Sequence, residues 1–350
     1  MTGATAANEA HWRAMGVTRL LDAGMRYDDV LALRAGTDAG EPWDGVAERL
    51  GAARAAQAAD AAAAGRSVTS YELFRAAAAC FLFAQMAFNA DTDRKRALYA
   101  RFDGAVAAAA THSPVPMWRI EPAFGGRRLA GWHLRPPAPR GTVVVFGGQS
   151  GWGATYLRYA DALLARGLAV ILAEGPGQGD SRLQHSVYLD VDVAAAIGTF
   201  VDLARADGPV GVWGNSVGGL FAALTAARHD GVGACCVNGA FAAPRLLPFR
   251  TFAEQARAML GTDDDAAVTA NFARLRFDPS ADRIACPLLV LHGGADPLVD
   301  LADQQPFLDG ADDATLRVWD DGEHTIYNHA DERNAVAADW FAERLTEVRA

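Results

Sequence analysis

The chain has 350 residues, of which 51% are hydrophobic and 21% are charged, so it is long enough for one large domain or two smaller ones and lacks the composition of a disordered chain. Its formal net charge at pH 7 is −10, which argues against a nucleic-acid partner, because binding a phosphate backbone requires clustered basic residues. Lys95 is the only lysine, which excludes a GKS or GKT phosphate loop and argues against Schiff-base chemistry. The cysteines form no CxxC pair, and we expect them to be reduced thiols in the core.

The start of the chain contains no recognisable export signal. Residues Met1–Ala10 lack both the basic start and the continuous apolar stretch of a secretory signal. The most apolar long segment, Tyr71–Phe88, is interrupted by charged and polar residues near its ends, which favours a buried helix over a membrane span. The sequence therefore predicts a cytoplasmic protein without a membrane partner.

The first part of the chain has a helical pattern, with alanine-rich stretches and few turn residues. Helical segments are predicted at Pro42–Ala64, from Ser67 onwards and after Asp91. A proline-containing cluster at 113–116 then breaks the pattern. We therefore assign residues 1–115 to a helical region and residues 116–350 to a second domain.

The second domain has a different pattern, in which strands and helices alternate. Met117–Leu134 alternates in polarity around Gly125-Gly126, which predicts two antiparallel strands joined by a turn. Later apolar runs are separated by helical stretches: Thr142–Phe146, Leu168–Ala173, Val210–Trp213, Val232–Val237, Leu288–Leu291 and Thr315–Trp319. This alternation predicts an α/β fold with a mostly parallel central sheet covered by helices on both faces. The connection at about 240–284 is predicted to be a helical insertion.

The strongest motif is Gly214-Asn215-Ser216-Val217-Gly218, which follows the apolar run at Val210–Trp213 and precedes a helical pattern. A GxSxG sequence in this context predicts a nucleophile elbow, a sharp strand-to-helix turn that exposes the hydroxyl of Ser216. Small residues on either side let the chain pass closely. The alternative is an ordinary glycine-rich turn, because the chain contains 35 glycines.

A nucleophilic serine needs a base within reach, and the base needs a carboxylate that holds its tautomer. Asp296 follows the apolar run at Leu288–Leu291, and His324 follows the run at Thr315–Trp319. The order of serine, acid and histidine, each after its own strand, is typical of the α/β-hydrolase architecture. We therefore predict Ser216 as nucleophile, His324 as base and Asp296 as orienting acid.

Neighbouring residues offer alternative assignments for the acid and the base. Asp300 and Asp303 lie where a helix begins, which favours a capping role. His292 ends a strand, which favours a structural role. His329 follows His324 without the HExxH pattern of a helical zinc site, so no metal is expected.

An oxyanion hole requires two backbone N–H donors. The first is expected at Val217, directly after the nucleophile. The second is expected in the glycine-rich loop after Thr142–Phe146, at Gln149 or Gly148. Glu174 ends another apolar run, and it is interpreted either as a substrate contact or, preferably, as a structural carboxylate that accepts hydrogen bonds from loop amides.

The chain resembles a branch of the α/β-hydrolase superfamily that includes 2,6-dihydroxypseudooxynicotine hydrolases, fermentation-respiration switch proteins and fungal polyketide-shortening hydrolases. The matching elements are the helical stretch Tyr27–Ala110, Gly147-Gly148, the GPGQG sequence at Gly175–Gly179, the GxSxG motif, Asp296 and His324. Two departures from the family pattern are Glu174 in place of the usual aspartate and Gln149-Ser150 in place of the usual Leu-Asp.

The resemblance implies hydrolysis at a carbonyl carbon, including cleavage of a carbon–carbon bond beside a ketone, in a bulky aromatic or polyketide-like substrate. It also implies that residues 1–115 act as a lid, whose phenylalanines either line the substrate pocket or pack against the hydrolase core: Phe74, Phe81, Phe83 and Phe88. The alternatives are a carboxylic ester hydrolase or acyltransferase with the same triad, and a non-catalytic ligand-binding protein on the same scaffold. We expect a small-molecule substrate and no cofactor, and the sequence leaves a homodimer open.

Overall fold

The chain folds into two compact units in a computed structural model that describes residues 3–248 and 250–347. One unit extends to Trp118 and the other begins at Arg119. In the described ranges, no helix is both long enough and apolar enough to cross a membrane.

The first unit is built from helices. They are α1 (Gly3–Ala14), α2 (Val17–Asp22), α3 (Tyr27–Asp38), α4 (Trp43–Ala63), α5 (Ser67–Gln85) and α6 (Asp93–Ala110). The predicted helical segments correspond to α4, α5 and α6. Every side chain from Ala76 to Gln85 is buried, and α5 packs against both α4 and α6. A helix that is apolar on all sides belongs in the centre of such a unit, and α5 occupies that position.

The close packing of α4 against α5 depends on Gly51. A Cβ atom at this position would lie 2.7 Å from the ring of Phe81, so a larger residue would force the helices apart. Nearby, Trp43 donates a hydrogen bond of 2.9 Å from Nε1 to the carbonyl oxygen of Phe83. Both phenylalanines are buried, and they contribute to the core of the helical unit itself.

The only lysine of the chain, Lys95, is buried where α5 meets α6. Its Nζ donates hydrogen bonds to Gln85 Oε1 at 2.7 Å, to the carbonyl oxygen of Gln85, the last residue of α5, at 3.5 Å, and to the carbonyl oxygen of Phe88 at 2.8 Å. Carbonyl groups at the end of a helix have no partner within that helix. Lys95 therefore stabilises the end of α5, which is a structural role.

An eight-stranded sheet organises the rest of the chain. The described residues form ten strands, which are β1 (Met117–Ile120), β2 (Ala123–Phe124), β3 (Arg127–Arg128), β4 (Ala130–Leu134), β5 (Thr142–Phe146), β6 (Ala169–Glu174), β7 (Val210–Asn215), β8 (Val232–Asn238), β9 (Leu288–Gly293) and β10 (Ala314–Trp319). All but β2 and β3 belong to the eight-stranded sheet. Their order in the large sheet is β1-β4-β6-β5-β7-β8-β9-β10. β4 runs antiparallel to β6, whereas the pairs from β6 through β10 are parallel. The predicted α/β fold with a mostly parallel central sheet is confirmed.

The prediction of two antiparallel strands in Met117–Leu134 is wrong in detail, because this segment forms four strands. Pro122 follows β1 and cannot donate to a sheet ladder, so the strand ends before it. β2 and β3 pair only with each other around Gly125 and Gly126, whose φ angles of 54° and 75° suit a tight hairpin turn. β1 and β4 are neighbours in the large sheet.

Helices cover both faces of the sheet. The α-helices described in this unit are α7 (Leu157–Leu164), α8 (Gly179–Leu183), α9 (Val193–Ala204), α10 (Val217–Arg228), α11 (Arg250–Leu260), α12 (Asp265–Arg274), α13 (Gln305–Asp309) and α14 (Ala330–Glu347). Trp213 of β7 packs against Tyr159 of α7 and Phe341 of α14. The adjacent Val212 lies in the cluster that contains Phe221 of α10, and α9 packs beside α10. Successive side chains of a strand point to opposite faces, so these two helix pairs cover opposite faces. The predicted insertion between β8 and β9 contains α11 and α12.

A buried histidine in β4 should make the stability of the fold depend on pH. The Nε2 atom of His133 lies 3.4 Å from Asp207 Oδ2, but burial outweighs this carboxylate and lowers the pKa of His133 below its ordinary value of 6.5. The folded state therefore binds fewer protons than the unfolded state as the pH falls below 6.5, and the free energy of unfolding decreases toward acid. The contribution of one such group is at most about 1.4 kcal/mol per pH unit. Urea unfolding between about pH 7.5 and about pH 5 should show a shallower decline for His133→Gln than for the wild type, and equal slopes would contradict this.

Candidate active site

Ser216 lies at the turn between β7 and α10, with a φ of 57° and a ψ of −135°. Positive φ angles are uncommon for residues other than glycine, and holding one costs about 1–3 kcal/mol. The amide of Ser216 donates a hydrogen bond of 2.8 Å to the carbonyl oxygen of Asn238, and its own carbonyl accepts one of 2.8 Å from the amide of Gly219. These bonds hold the strained turn in place.

The glycines of the GxSxG motif are required by the close passage of the backbone around this turn. A Cβ atom at Gly214 would lie 1.9 Å from the carbonyl oxygen of Gly218. A Cβ atom at Gly218 would lie 2.4 Å from the carbonyl oxygen of Gly147. No larger residue fits at either position without moving the backbone, so the motif is a steric requirement of the turn.

Three residues that are distant in sequence meet at the carboxyl edge of the sheet. His324 Nε2 is 3.0 Å from Ser216 Oγ, and His324 Nδ1 is 2.7 Å from Asp296 Oδ2. The side chain of Asp296 is fully buried, and its Oδ1 accepts hydrogen bonds from the amides of Leu298 and Val299 at 2.8 and 3.2 Å. A carboxylate fixed in this way can accept the Nδ1–H of the imidazole, which leaves Nε2 to accept the serine proton.

Hydrogen bonds also hold the loop after His324 in a strained conformation. Thr325 and Ile326 have φ angles of 51° and 63°, which are unusual for β-branched residues. The buried Arg333 donates a hydrogen bond of 2.8 Å from Nη1 to the carbonyl oxygen of Thr325. Asn238 Nδ2 donates to the same oxygen at 3.3 Å. These donors fix the backbone from which the imidazole extends.

Replacing Arg333 with methionine should therefore lower kcat by about 10- to 100-fold with little change in KM, because a small displacement of the imidazole reduces proton transfer more than it reduces binding. A matched control is Arg228→Met, which removes an ion pair with Asp282 of 2.8 Å at the end of α10. We expect the control to be less stable in urea but to retain its kcat. Kinetics with a p-nitrophenyl ester, together with urea unfolding, compare the two variants. A wild-type kcat in folded Arg333→Met would contradict the prediction.

The alternative residues have other surroundings. Asp300 and Asp303 form a capping box at the start of a short 3-10 helix, in which the amide of Asp300 donates to Asp303 Oδ2 at 3.0 Å. His329 Nε2 is 2.8 Å from Asp321 Oδ1 at the protein surface. His292 is buried, burial lowers its pKa, and its Nδ1 has no hydrogen-bond partner among the described residues. Within the part of the chain that the structure describes, no cluster of histidine, cysteine and acidic residues is arranged to hold a metal ion.

The predicted oxyanion loop lies directly against the serine. A Cβ atom at Gly148 would be 2.9 Å from Ser216 Cβ and 3.1 Å from its Oγ. Among the residues described, none accepts a hydrogen bond from the backbone N–H of Gln149 or of Val217. Such N–H groups beside a nucleophile are suited to bind negative charge that develops on a carbonyl oxygen.

Glu174 is enclosed by loops. Its side chain is fully buried, and Oε2 accepts a hydrogen bond of 2.8 Å from the amide of Asp180. Cβ atoms at Gly153 and Gly179 would lie 2.5 and 2.2 Å from its carboxylate. This enclosure leaves no free surface for a substrate, so the structure favours the structural interpretation of Glu174 over the substrate contact.

Three residues that hold the site were not among the predicted site residues: Gln178, Asn238 and Arg333. Gln178 donates hydrogen bonds from Nε2 to the carbonyl oxygens of Gly147 and Gly148 at 2.5 and 3.1 Å. Its position within GPGQG is a signal that could have identified it. Asn238 is the last residue of the parallel strand β8, and the predicted triad residues likewise lie at or shortly after the ends of parallel strands. Arg333 has no local signal, because an arginine in a helix usually faces solvent.

Comparisons with known proteins agree with this architecture. A family model described as "Serine aminopeptidase, S33" matches residues 137–263, a range that includes Ser216 but ends before Asp296 and His324. The 2,6-dihydropseudooxynicotine hydrolase of Paenarthrobacter nicotinovorans is 26% identical over 292 residues, which cover 80% of this chain and 78% of that protein.

One solved structure is similar to nearly the whole chain, and another shares its fold over a smaller part. The crystal structure of the 2,6-dihydroxy-pseudo-oxynicotine hydrolase matches with a TM-score of 0.83 and 25% identity, covering 94% of this chain and 96% of the other. AbyA5 matches with a TM-score of 0.63 and 18% identity over 83% of this chain and 92% of its own, which shows a shared fold. The chain therefore has the α/β-hydrolase fold, and it is similar in sequence and in structure to 2,6-dihydroxy-pseudo-oxynicotine hydrolase.

Proposed function

We propose that the chain is a serine hydrolase that acts at a carbonyl carbon through an acyl-enzyme. The observation that carries this proposal is the hydrogen-bonded series of Ser216, His324 and Asp296, with distances of 3.0 and 2.7 Å. Ser216 is the nucleophile, His324 is the general base, and Asp296 holds the imidazole in the required tautomer.

The reaction begins when Ser216 Oγ attacks the carbonyl carbon and His324 Nε2 takes the hydroxyl proton. The carbonyl π electrons move onto the oxygen, which is bound by the N–H of Val217 and the N–H of Gln149 or Gly148. Collapse of this intermediate expels the leaving group, which takes the proton from His324. Water then attacks the acyl-enzyme with His324 again acting as base, which releases a carboxylic acid and restores Ser216.

The bond that we propose to be cleaved is a carbon–carbon bond beside a ketone in a bulky aromatic or polyketide-like substrate. Support comes from the similarity, over most of the chain, to a hydrolase named for 2,6-dihydroxy-pseudo-oxynicotine. A carbon leaving group departs with the bonding electrons, so the substrate must stabilise them as an enolate or in an electron-rich ring. We propose that residues 1–115 act as the lid, as the family resemblance implies, and that no cofactor takes part.

A substrate panel in ¹⁸O-labelled water tests the bond that is cleaved. An aryl 1,3-diketone reports carbon–carbon cleavage, and the matching aryl ester reports ester hydrolysis. We expect a higher kcat/KM for the diketone and one ¹⁸O atom in the acid product. A clear preference for the ester would identify an ester hydrolase. An unlabelled ester product in the presence of an added alcohol would identify an acyltransferase.

A further inference from the structure

One buried side chain ties the GPGQG loop to the oxyanion loop. Gln178 is fully buried. Its Nε2 donates hydrogen bonds to the carbonyl oxygens of Gly147 and Gly148 at 2.5 and 3.1 Å, and its Oε1 accepts one of 2.9 Å from the amide of Gly175. Rotating the amide by half a turn would set Oε1 against two carbonyl oxygens, so these partners fix its orientation.

The direction of the two held carbonyl groups determines where the neighbouring N–H groups point. In a trans peptide, the C=O of one residue and the N–H of the next point in opposite directions, and the described chain has no cis peptide bond. The carbonyl groups of Gly147 and Gly148 face Gln178, so the N–H groups of Gly148 and Gln149 face away from it. Gly148 itself lies against Ser216, since a Cβ atom there would be 2.9 Å from Ser216 Cβ.

A sequence of adjacent glycines has many accessible backbone conformations, so the peptide groups of this loop need an external restraint. Gln178 supplies this restraint from a position that a substrate cannot reach. We infer that Gln178 is a positioning residue that directs the oxyanion donors of Gly148 and Gln149 toward Ser216. This inference rests on the proposed function, and it assigns the glutamine of GPGQG a role in stabilising the transition state.

The isosteric substitution Gln178→Glu is the sharpest test. It retains the shape of the side chain and the acceptor for Gly175, but it sets a carboxylate oxygen against the carbonyl oxygens of Gly147 and Gly148. Gln178→Met removes the Nε2 donor without introducing a buried charge, and it is the variant to measure if Gln178→Glu does not fold. Gln304→Glu is a matched control, because Gln304 is also fully buried and donates from Nε2 to the carbonyl oxygen of Ala240 at 2.7 Å.

Two inhibitors distinguish stabilisation of the oxyanion from binding of the rest of the inhibitor. An aryl trifluoromethyl ketone adds to the serine and forms an oxyanion, whereas the matching methyl ketone binds without this addition. We expect both Gln178 variants to lower kcat for a p-nitrophenyl ester by about 10²- to 10³-fold and to leave KM within a few-fold of the wild type. The inhibition constant of the trifluoromethyl ketone should increase by a similar factor, because the oxyanion is bound less tightly. The inhibition constant of the methyl ketone should not change.

The control Gln304→Glu should retain the wild-type kcat and both inhibition constants. Equal weakening of the two ketones by the Gln178 variants would indicate general damage to the site and would overturn the inference. Unchanged kcat in the folded variants would overturn it as well. A wild-type protein that forms no adduct at Ser216 with the trifluoromethyl ketone would instead refute the proposed function, and the role of Gln178 with it.

Discussion

Replacing Ser216 with alanine should lower turnover by about 10⁶-fold, because the remaining site can bind the substrate but has no nucleophile to form the acyl-enzyme. The measurement is the steady-state rate with a p-nitrophenyl ester and with the best ketone from the substrate panel. Binding of the methyl ketone inhibitor should persist in the variant, which separates the loss of chemistry from the loss of the fold.

Ser186→Ala is the matched control for this experiment. Ser186 also has a positive φ angle, of 54°, but it is exposed and lies outside the group formed by His324 and Asp296. We expect the control to retain wild-type turnover. If Ser216→Ala kept more than about a thousandth of the wild-type rate, the covalent route would be refuted, since loss of a triad nucleophile costs more than this.

Replacing Asp296 with asparagine should lower kcat by about 10⁴-fold. The asparagine amide can donate to His324 Nδ1, which favours the tautomer that carries its proton on Nε2. That tautomer cannot accept the proton of Ser216. The fold should be nearly unchanged, because Oδ1 of the new residue can still accept the hydrogen bonds that Leu298 and Val299 now donate at 2.8 and 3.2 Å.

Asp303→Asn is the control for the acid, because Asp303 is one of the two alternative carboxylates that the sequence offers, together with Asp300. It belongs to the capping box with Asp300, and its loss should affect stability by no more than about 2 kcal/mol and turnover only slightly. Steady-state kinetics of both variants at the same pH compare the two acids. A larger loss of kcat in Asp303→Asn than in Asp296→Asn would show that Asp303, and not Asp296, is the acid that orients His324.

The proposed triad could be predicted from sequence because its members carry local signals. Ser216, Asp296 and His324 each follow a short apolar run, and the observed strands β7, β9 and β10 end directly before or within a few residues of them. Parallel strands place their carboxyl ends at one edge of the sheet. The three side chains were therefore expected to meet without knowledge of any other contact.

The residues that support the site could not be predicted in the same way, because their roles depend on partners distant in sequence. Gln178 contacts a carbonyl group 31 residues earlier, and Asn238 contacts one 87 residues later. Neither spacing has a periodicity that a sequence pattern can reveal. The Nδ1 atom of His292 has no hydrogen-bond partner among the described residues. This property depends on how the surrounding residues pack, and it cannot be predicted from the position of His292 at the end of a strand.

The Met117–Leu134 segment shows a different limit of sequence patterns. Polarity alternates through this segment, as in a single hairpin, but Pro122 interrupts the ladder and the strands divide between two sheets. The alternation shows that the backbone is extended, whereas the strand partners depend on the position of β6, which pairs with β4. Local patterns therefore identified the strand character of this segment but not its pairing.

The proposed mechanism requires one serine hydroxyl to become covalently bonded to the carbonyl carbon of the substrate. Treatment with a fluorophosphonate, followed by proteolysis and mass spectrometry, tests it most directly. We expect a single adduct on the peptide that contains Ser216. The adduct should form much more slowly in Asp296→Asn and should be absent in Ser216→Ala. A folded wild-type protein that remains unlabelled, or that carries the adduct on another residue, would contradict the mechanism.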